Sequence, residues 1–213
     1  MEPAKRKVVQ RSPAHTVRLL HLPQLQEEPV EADSALERDF VLIASLFPHI
    51  RRIQHQPFRL TWSDRSYTPD FLLTFADGTR VVIEVKPQSK TERYDDLFKL
   101  AQQKLAEHGL TFLVATDQVI HAERAANAKL IRRYSKLGPQ TSALERVLHL
   151  VGNGGVIADI CGPDDLPLLR HLICQHRMAT DPSLDTAPTG RVFPVQHIEG
   201  EDHALQFSSW LDS

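Results

Sequence analysis

The chain has 213 residues, 41% of them hydrophobic, and its 25 basic side chains stand against 27 acidic ones for a formal net charge of −2. That supplies one sizeable packed core plus a small second unit, and it excludes a protein that grips DNA unaided by neutralising phosphates. Cys161 and Cys174 show no Cys-x-x-Cys spacing, which excludes a disulfide framework and a cysteine zinc site. The longest apolar stretch, around Val41 to Phe47, is too short for a bilayer, and the N-terminus lacks an apolar signal core, so no membrane association and a cytoplasmic location are expected.

Residues 1–33 alternate prolines and charges, with Lys5, Arg6, Lys7, Arg11 and Arg18 basic and Glu27, Glu28, Glu31 and Asp33 acidic. They read as an N-terminal arm with a short strand over Thr16 to Leu20. Ser34-Ala35-Leu36-Glu37 has the spacing of a helix capping box, and Leu36, Phe40, Ile43 and Phe47 continue one apolar face until Pro48. Arg52 to Trp62 is expected as one extended run. Phe71 to Phe75 and Arg80 to Lys86 flank Asp77-Gly78, the signature of a β-hairpin. An amphipathic helix is expected over Tyr94 to His108, a buried strand over Thr111 to Thr116, and a helix with a basic stretch over Ala122 to Leu137.

Gly138-Pro139 marks a boundary between a main domain over 34–137 and a small C-terminal domain and tail over 138–213 suited to partner contact. In that second unit helices are expected over Thr141 to Val151 and Leu166 to Met178, followed by extended Arg191 to Val195, a pattern suited to a winged-helix-like unit. His171 and Cys174 lie one helical turn apart, but no further ligands accompany them, so they read as a core or surface pair. The acidic tail from Glu199 carries Phe207, Trp210 and Leu211, and it either docks on its own domain or serves as a peptide for a partner.

The hairpin carries the chemistry. Period-two alternation puts Val82, Glu84 and Lys86 on one face with Val81, Ile83 and Val85 behind, and antiparallel pairing brings Asp70 beside Glu84 and Lys86. Asp70, Glu84 and the Val85 carbonyl are oxygen ligands suited to Mg2+, with Mn2+ as a substitute, for phosphodiester hydrolysis. Lys86 orients or deprotonates the attacking water or stabilises the transition state by its charge, roles that spacing alone leaves open. A solvated cross-strand pair is the ordinary alternative for Glu84 and Lys86, helix capping competes with ligation at Glu37, and Gln56 is either a site-lining amide or a plain strand residue.

Leu36-Glu37-Arg38-Asp39, Gln56-Pro57-Phe58, Tyr67-Thr68-Pro69-Asp70-Phe71 and Glu84-Val85-Lys86, in this order and spacing, resemble the N-terminal domain of TnsA-like transposon endonucleases over roughly residues 15 to 136. Asn127 and Leu130 also look like positions of that family. The resemblance implies an α/β restriction-endonuclease-like mixed sheet flanked by helices, with a PD-(D/E)xK site in which Glu37, Asp70 and Glu84 bind metal and Lys86 is catalytic. It further implies a bacterial cut-and-paste system, nucleoid-associated during transposition, in which this subunit nicks the 5′ strand at transposon ends. A TnsB-like DDE transposase cuts and joins the 3′ strands, and a TnsC-like AAA+ regulator couples the pair to a target. Two other expectations stay open: a stand-alone restriction or junction-resolving nuclease of the same fold, and a non-catalytic assembly subunit.

Overall fold

The computed structural model describes residues 2–3, 17–196 and 200–213. The basic residues Lys5, Arg6, Lys7 and Arg11 of the expected arm therefore lie outside the described residues. Glu2–Pro3 forms β1, and Arg18–Leu20 (β2) and Val30–Ala32 (β3) pair as an antiparallel hairpin. Leu20, Leu22, Val30 and Ala32 are buried in the main core, so residues 17–33 belong to the folded body rather than to a free arm.

Helix α1 (Ala35–Ala44) begins as its sequence demands: the Ser34 side chain accepts from the Glu37 N–H at 3.1 Å. Its Phe40, Val41, Ile43 and Ala44 are buried, and the last turn tightens at Ser45 before Pro48. The single extended run expected over Arg52 to Trp62 is instead two strands in two sheets. β4 (Ile50–His55) ends where Gln56 takes a positive φ of 42° ahead of Pro57, and β5 (Phe58–Thr61) leaves to pair with β1 and with β6 (Ser66–Tyr67). A left-handed residue followed by proline re-aims the chain, which alternation of apolar residues cannot reveal.

The central sheet has the order β4, β7 (Phe71–Phe75), β8 (Arg80–Val85) and β9 (Thr111–Ala115), antiparallel except for the parallel β8–β9 pair. Phe71 faces Ile83 across the β7–β8 hairpin, as the sequence expects, and Gly78 turns it with a φ of 83° that favours glycine. Helices α2 (Gln88–Thr91) and α3 (Asp95–Ala106) follow β8, and α4 (Ala122–Arg132) follows β9. One sheet face packs Phe71, Leu73, Val81, Ile83 and Val85 against α1 and α4, and the other packs Leu72, Val82 and Phe112 under α3 and β5. This is a mixed sheet flanked by helices, an α/β restriction-endonuclease-like architecture.

Beyond Gly138 come α5 (Thr141–Val151), β10 (Gly155–Val156), α6 (Ile157–Ile160), α7 (Leu166–Cys174), β11 (Met178–Thr180) and β12 (Arg191–Pro194). The three strands form an antiparallel sheet of order β10-β12-β11 beside the helices. The helix expected to reach Met178 stops at Cys174, because His176 adopts a φ of 54° and Met178 enters β11. His171 and Cys174 each bond a main-chain carbonyl near the end of α4, at Tyr134 and Ile131, so they fasten α7 to α4. Buried Val147, Leu169, Leu172 and Val192 join the same apolar cluster as Phe40 and Ile83, so hydrophobic burial runs continuously across Gly138.

The tail is a docked helix, α8 (His203–Leu211), capped by Asp202. Phe207 is fully buried against the rings of Phe47 and Phe75 at centroid distances of 5.3 and 5.4 Å. Arg124 of α4 donates to the carbonyls of Leu211 at 2.8 Å and Trp210 at 2.9 Å and lies over the Trp210 ring. Among the described residues no helix is long and apolar enough to cross a membrane.

Candidate active site

The start of β7 and the end of β8, the two inner strands, lie side by side at one end of the central sheet. Asp70 immediately precedes β7, and its Oδ2 accepts the Val85 N–H at 2.8 Å, which anchors the carboxylate across the hairpin. Glu84 is 3% exposed on the α3 face of β8. Its Oε1 lies 2.7 Å from Lys86 Nζ and its Oε2 accepts the Tyr67 hydroxyl at 2.5 Å. The acid and amine are thus not a solvated surface pair. Lys86 also lies over the Tyr94 ring at 5.2 Å, and its N–H donates to the Ala115 carbonyl at 3.0 Å.

Electrostatics separate these groups. Burial, then the charge of Glu84 with a further contribution from Glu37, pushes the Asp70 carboxyl up to about 8, while the Val85 N–H works in the opposite direction. Burial and the neighbouring Glu84 keep the Tyr67 phenol protonated, so it serves Glu84 as a donor. Burial disfavours the Lys86 ammonium, but the hydrogen bond and charge of Glu84 outweigh it and raise its pKa, so Lys86 is a cation at neutral pH. Two carboxylates forced together in burial, one strongly reluctant to ionise, are what a bound divalent cation relieves. Asp70, Glu84 and the Val85 carbonyl offer hard oxygen donors, and that donor chemistry fits Mg2+ or Mn2+.

Glu37 lies one step away. It is 9% exposed in the first turn of α1, its Oε2 accepts the Asp33 N–H at 2.8 Å, and its charge is felt at Asp70. One oxygen of Glu37 thus holds the chain entering the helix, which is the capping side of the expectation. Gln56 is tied to the site at both ends, with its N–H donating to the Asp70 carbonyl at 2.7 Å and its Nε2 to Asp33 Oδ2 at 3.4 Å.

Three neighbours were not singled out as site residues. Tyr67 occupies the Tyr-Thr-Pro-Asp stretch, and a phenol on β6 facing the α3 side was the available signal. Asp33 looks like one member of an acidic run and His55 like a strand residue, and only the fold brings their donor atoms and that of Glu37 within 4.8 Å of one another. Asn127, noted for its family position, donates to the Ser183 carbonyl at 3.1 Å and so braces the C-terminal segment.

Residues 47–117 match the family model described as TnsA-like endonuclease N terminal. The matched segment contains His55, Gln56, Tyr67, Asp70, Glu84, Val85 and Lys86, whereas Asp33 and Glu37 lie before it. No curated protein matches the chain.

Proposed function

From the premise that this chain carries a TnsA-like nuclease domain, we propose that it is a metal-dependent DNA endonuclease that nicks the 5′ strand at the ends of a transposon, in a complex with a DDE-type transposase and an AAA+ regulator. The observation that carries this reading is the meeting of buried Glu84 with half-buried Asp70 and Lys86 at the end of one hairpin inside the matched segment. Asp70, Glu84 and the Val85 carbonyl would hold the Mg2+, with Glu37 as a further carboxylate. When bound, the cation neutralises the scissile phosphate and lowers the pKa of a water towards neutrality.

The chain's own groups do the rest. The Val85 N–H fixes Oδ2 of Asp70 at the end of the hairpin. Tyr67 and Lys86 clamp the two oxygens of Glu84, which sets the carboxylate's orientation against the rigid sheet. Lys86 pairs with Glu84 as a cation, so it would place positive charge at the phosphate and orient the attacking water.

Dependence on a partner follows from charge. The cleft of about 570 Å³ between α2, α3 and β9 includes Glu92 and Asp95 in its lining, and its Lys99 is paired with Asp95 at 2.6 Å. With a net charge of −2, such a surface supplies little phosphate neutralisation, and delivery by a DNA-binding transposase provides effective concentration instead. Residues 138–213, packed on the main body through the shared core and α8, would present the surface for partner contact.

The test is a strand-resolved cleavage assay on end-labelled transposon DNA with the cognate transposase and Mg2+. Asp70→Ala and Lys86→Ala should each abolish 5′ nicking while 3′ nicking and joining continue. Wild-type 5′ nicking by either variant removes the hairpin from the active site. Efficient sequence-specific double-strand cleavage by the isolated chain would replace this reading with a stand-alone restriction enzyme.

A further inference from the structure

A second group of metal-ligating side chains lies beside the Asp70–Glu84 pair. Asp33 follows β3, Glu37 sits in the first turn of α1 and His55 ends β4, and their ligand atoms all fall within 4.8 Å of one another. The His55 side chain is 8% exposed, yet its Nε2 has no hydrogen-bond partner, and neither has the buried Oδ1 of Asp33. The distance from Nε2 to Asp33 Oδ2 is 3.9 Å, too long for a hydrogen bond. A buried imidazole facing carboxylates without bonding them is an arrangement waiting for a shared ligand.

We propose that Asp33, Glu37 and His55 form a second divalent-cation site, separate from Asp70, Glu84 and Val85, that takes a transition ion such as Mn2+ or Zn2+ in preference to Mg2+. The preference comes from the donor set: an imidazole nitrogen with two carboxylates suits a borderline ion, whereas Mg2+ demands oxygen ligands in near-ideal octahedral order. Metal–ligand bonds of about 2.0–2.2 Å set neighbouring donors about 3.3–3.6 Å apart in a tetrahedral site, so the 3.9 Å gap closes by a small side-chain rotation.

The surroundings support the site as a built one. Gln56 holds Asp33 Oδ2 through its Nε2 and spends a left-handed backbone, φ 42°, in doing so. The Asp33 N–H holds Glu37 Oε2, which fixes the Glu37 carboxylate against the chain entering α1. Gln56 also donates its N–H to the Asp70 carbonyl at 2.7 Å, so a cation here braces the strand that carries Asp70. The proposal deepens the nuclease reading and rests on it in one respect: Glu37, a further carboxylate for the hairpin's cation, is shared with this neighbouring one, and Gln56 becomes a positioning residue.

The test uses the full chain, stripped of metal and titrated with Mn2+ followed by the EPR signal of the free ion, and with Co2+ followed by its visible absorption. Asp70→Asn should keep one bound ion with a nitrogen-containing Co2+ spectrum. His55→Gln and the partly exposed Asp33→Asn should each weaken that ion by about 100-fold, and Gln56→Ala by about 10-fold, with thermal melting confirming a folded chain. Millimolar Mg2+ should fail to displace it. Wild-type stoichiometry and spectrum in His55→Gln and Asp33→Asn, or loss of every bound ion in Asp70→Asn, overturns the site. Binding that survives Asp70→Asn and is lost in His55→Gln supports it even if strand cleavage fails, so the two readings fall separately.

Discussion

Asp70 and Asp77 sit at opposite ends of β7, and the protein treats them in opposite ways. Asp70 is pushed up to about 8 by burial and by the charges of Glu84 and Glu37. Asp77 meets some burial too, but the Thr79 hydroxyl, the His203 N–H and the Thr79 N–H outweigh it and hold the carboxyl at about 2. One aspartate is left in electrostatic conflict and the other is satisfied on every side. The conflict sits where a cation and a phosphate would resolve it, and the satisfaction sits where two elements must be joined, which separates working groups from fastening groups within one hairpin.

The largest effect should come from the conflicted end. Asp70→Asn should lower 5′-strand cleavage on the order of 1000-fold while raising the metal-free melting temperature at pH 8. The folded pKa of about 8 exceeds the unfolded value of about 3.9, so the native chain holds the extra proton between them and wild-type stability falls as pH rises through that window. The advantage of Asp70→Asn should vanish below about pH 4, where both states are protonated, and added Mg2+ should stabilise the wild type alone. A scan of melting temperature against pH, with and without metal, checks all three outcomes.

At the fastened end, Phe207→Ala should cost about 3–5 kcal/mol in urea unfolding, since it empties a fully buried site among Phe47, Phe75 and Trp210. A loss under about 1 kcal/mol would mean that α8 is only loosely applied. Tyr67→Phe should cost about 1–3 kcal/mol by leaving the buried Glu84 Oε2 without its donor, and it should lower cleavage by about 10-fold at unchanged metal stoichiometry. Asp77→Ala should cost about 1–2 kcal/mol by removing the acceptor of the His203 N–H at the start of α8, an effect present above about pH 4 and lost as pH falls towards 2. If Asp70→Asn and Asp77→Ala shift stability in the same direction at pH 8, the contrast between the two ends is wrong.

The hairpin was legible because Asp77-Gly78 fixes the turn, and period-two alternation then places Glu84 and Lys86 on one face opposite Asp70. The start of α1 was legible for a similar local reason, its Ser34 cap. What escaped was information stored in the backbone or across long separations. Neither Gln56 nor His176 is a glycine, so their positive φ values gave no warning that β4 would stop or that α7 would end early. Asp33 and His55 belong to different elements and meet only after β3 and β4 are laid beside α1. The tail offered two fates, and the decisive partner, Arg124, is on α4, where a basic residue in a helix's first turn carries no sign that it will be buried under α8.

Arg124 also sets an order of events during synthesis. Arg124, 2% exposed, donates through its guanidinium to three main-chain carbonyls, of Val119, Trp210 and Leu211, and the last two are translated long after the β7–β8 hairpin. Until residues 203–211 clear the ribosome, Phe47 and Phe75 lack their covering aromatic ring and Arg124 lacks two of its acceptors. A nascent chain therefore holds the hairpin of Asp70, Glu84 and Lys86 on a body that cannot yet close. Ribosome-bound fragments should stay protease-sensitive around α4 until α8 emerges, so the body becomes rigid only once residues 203–211 are free to dock.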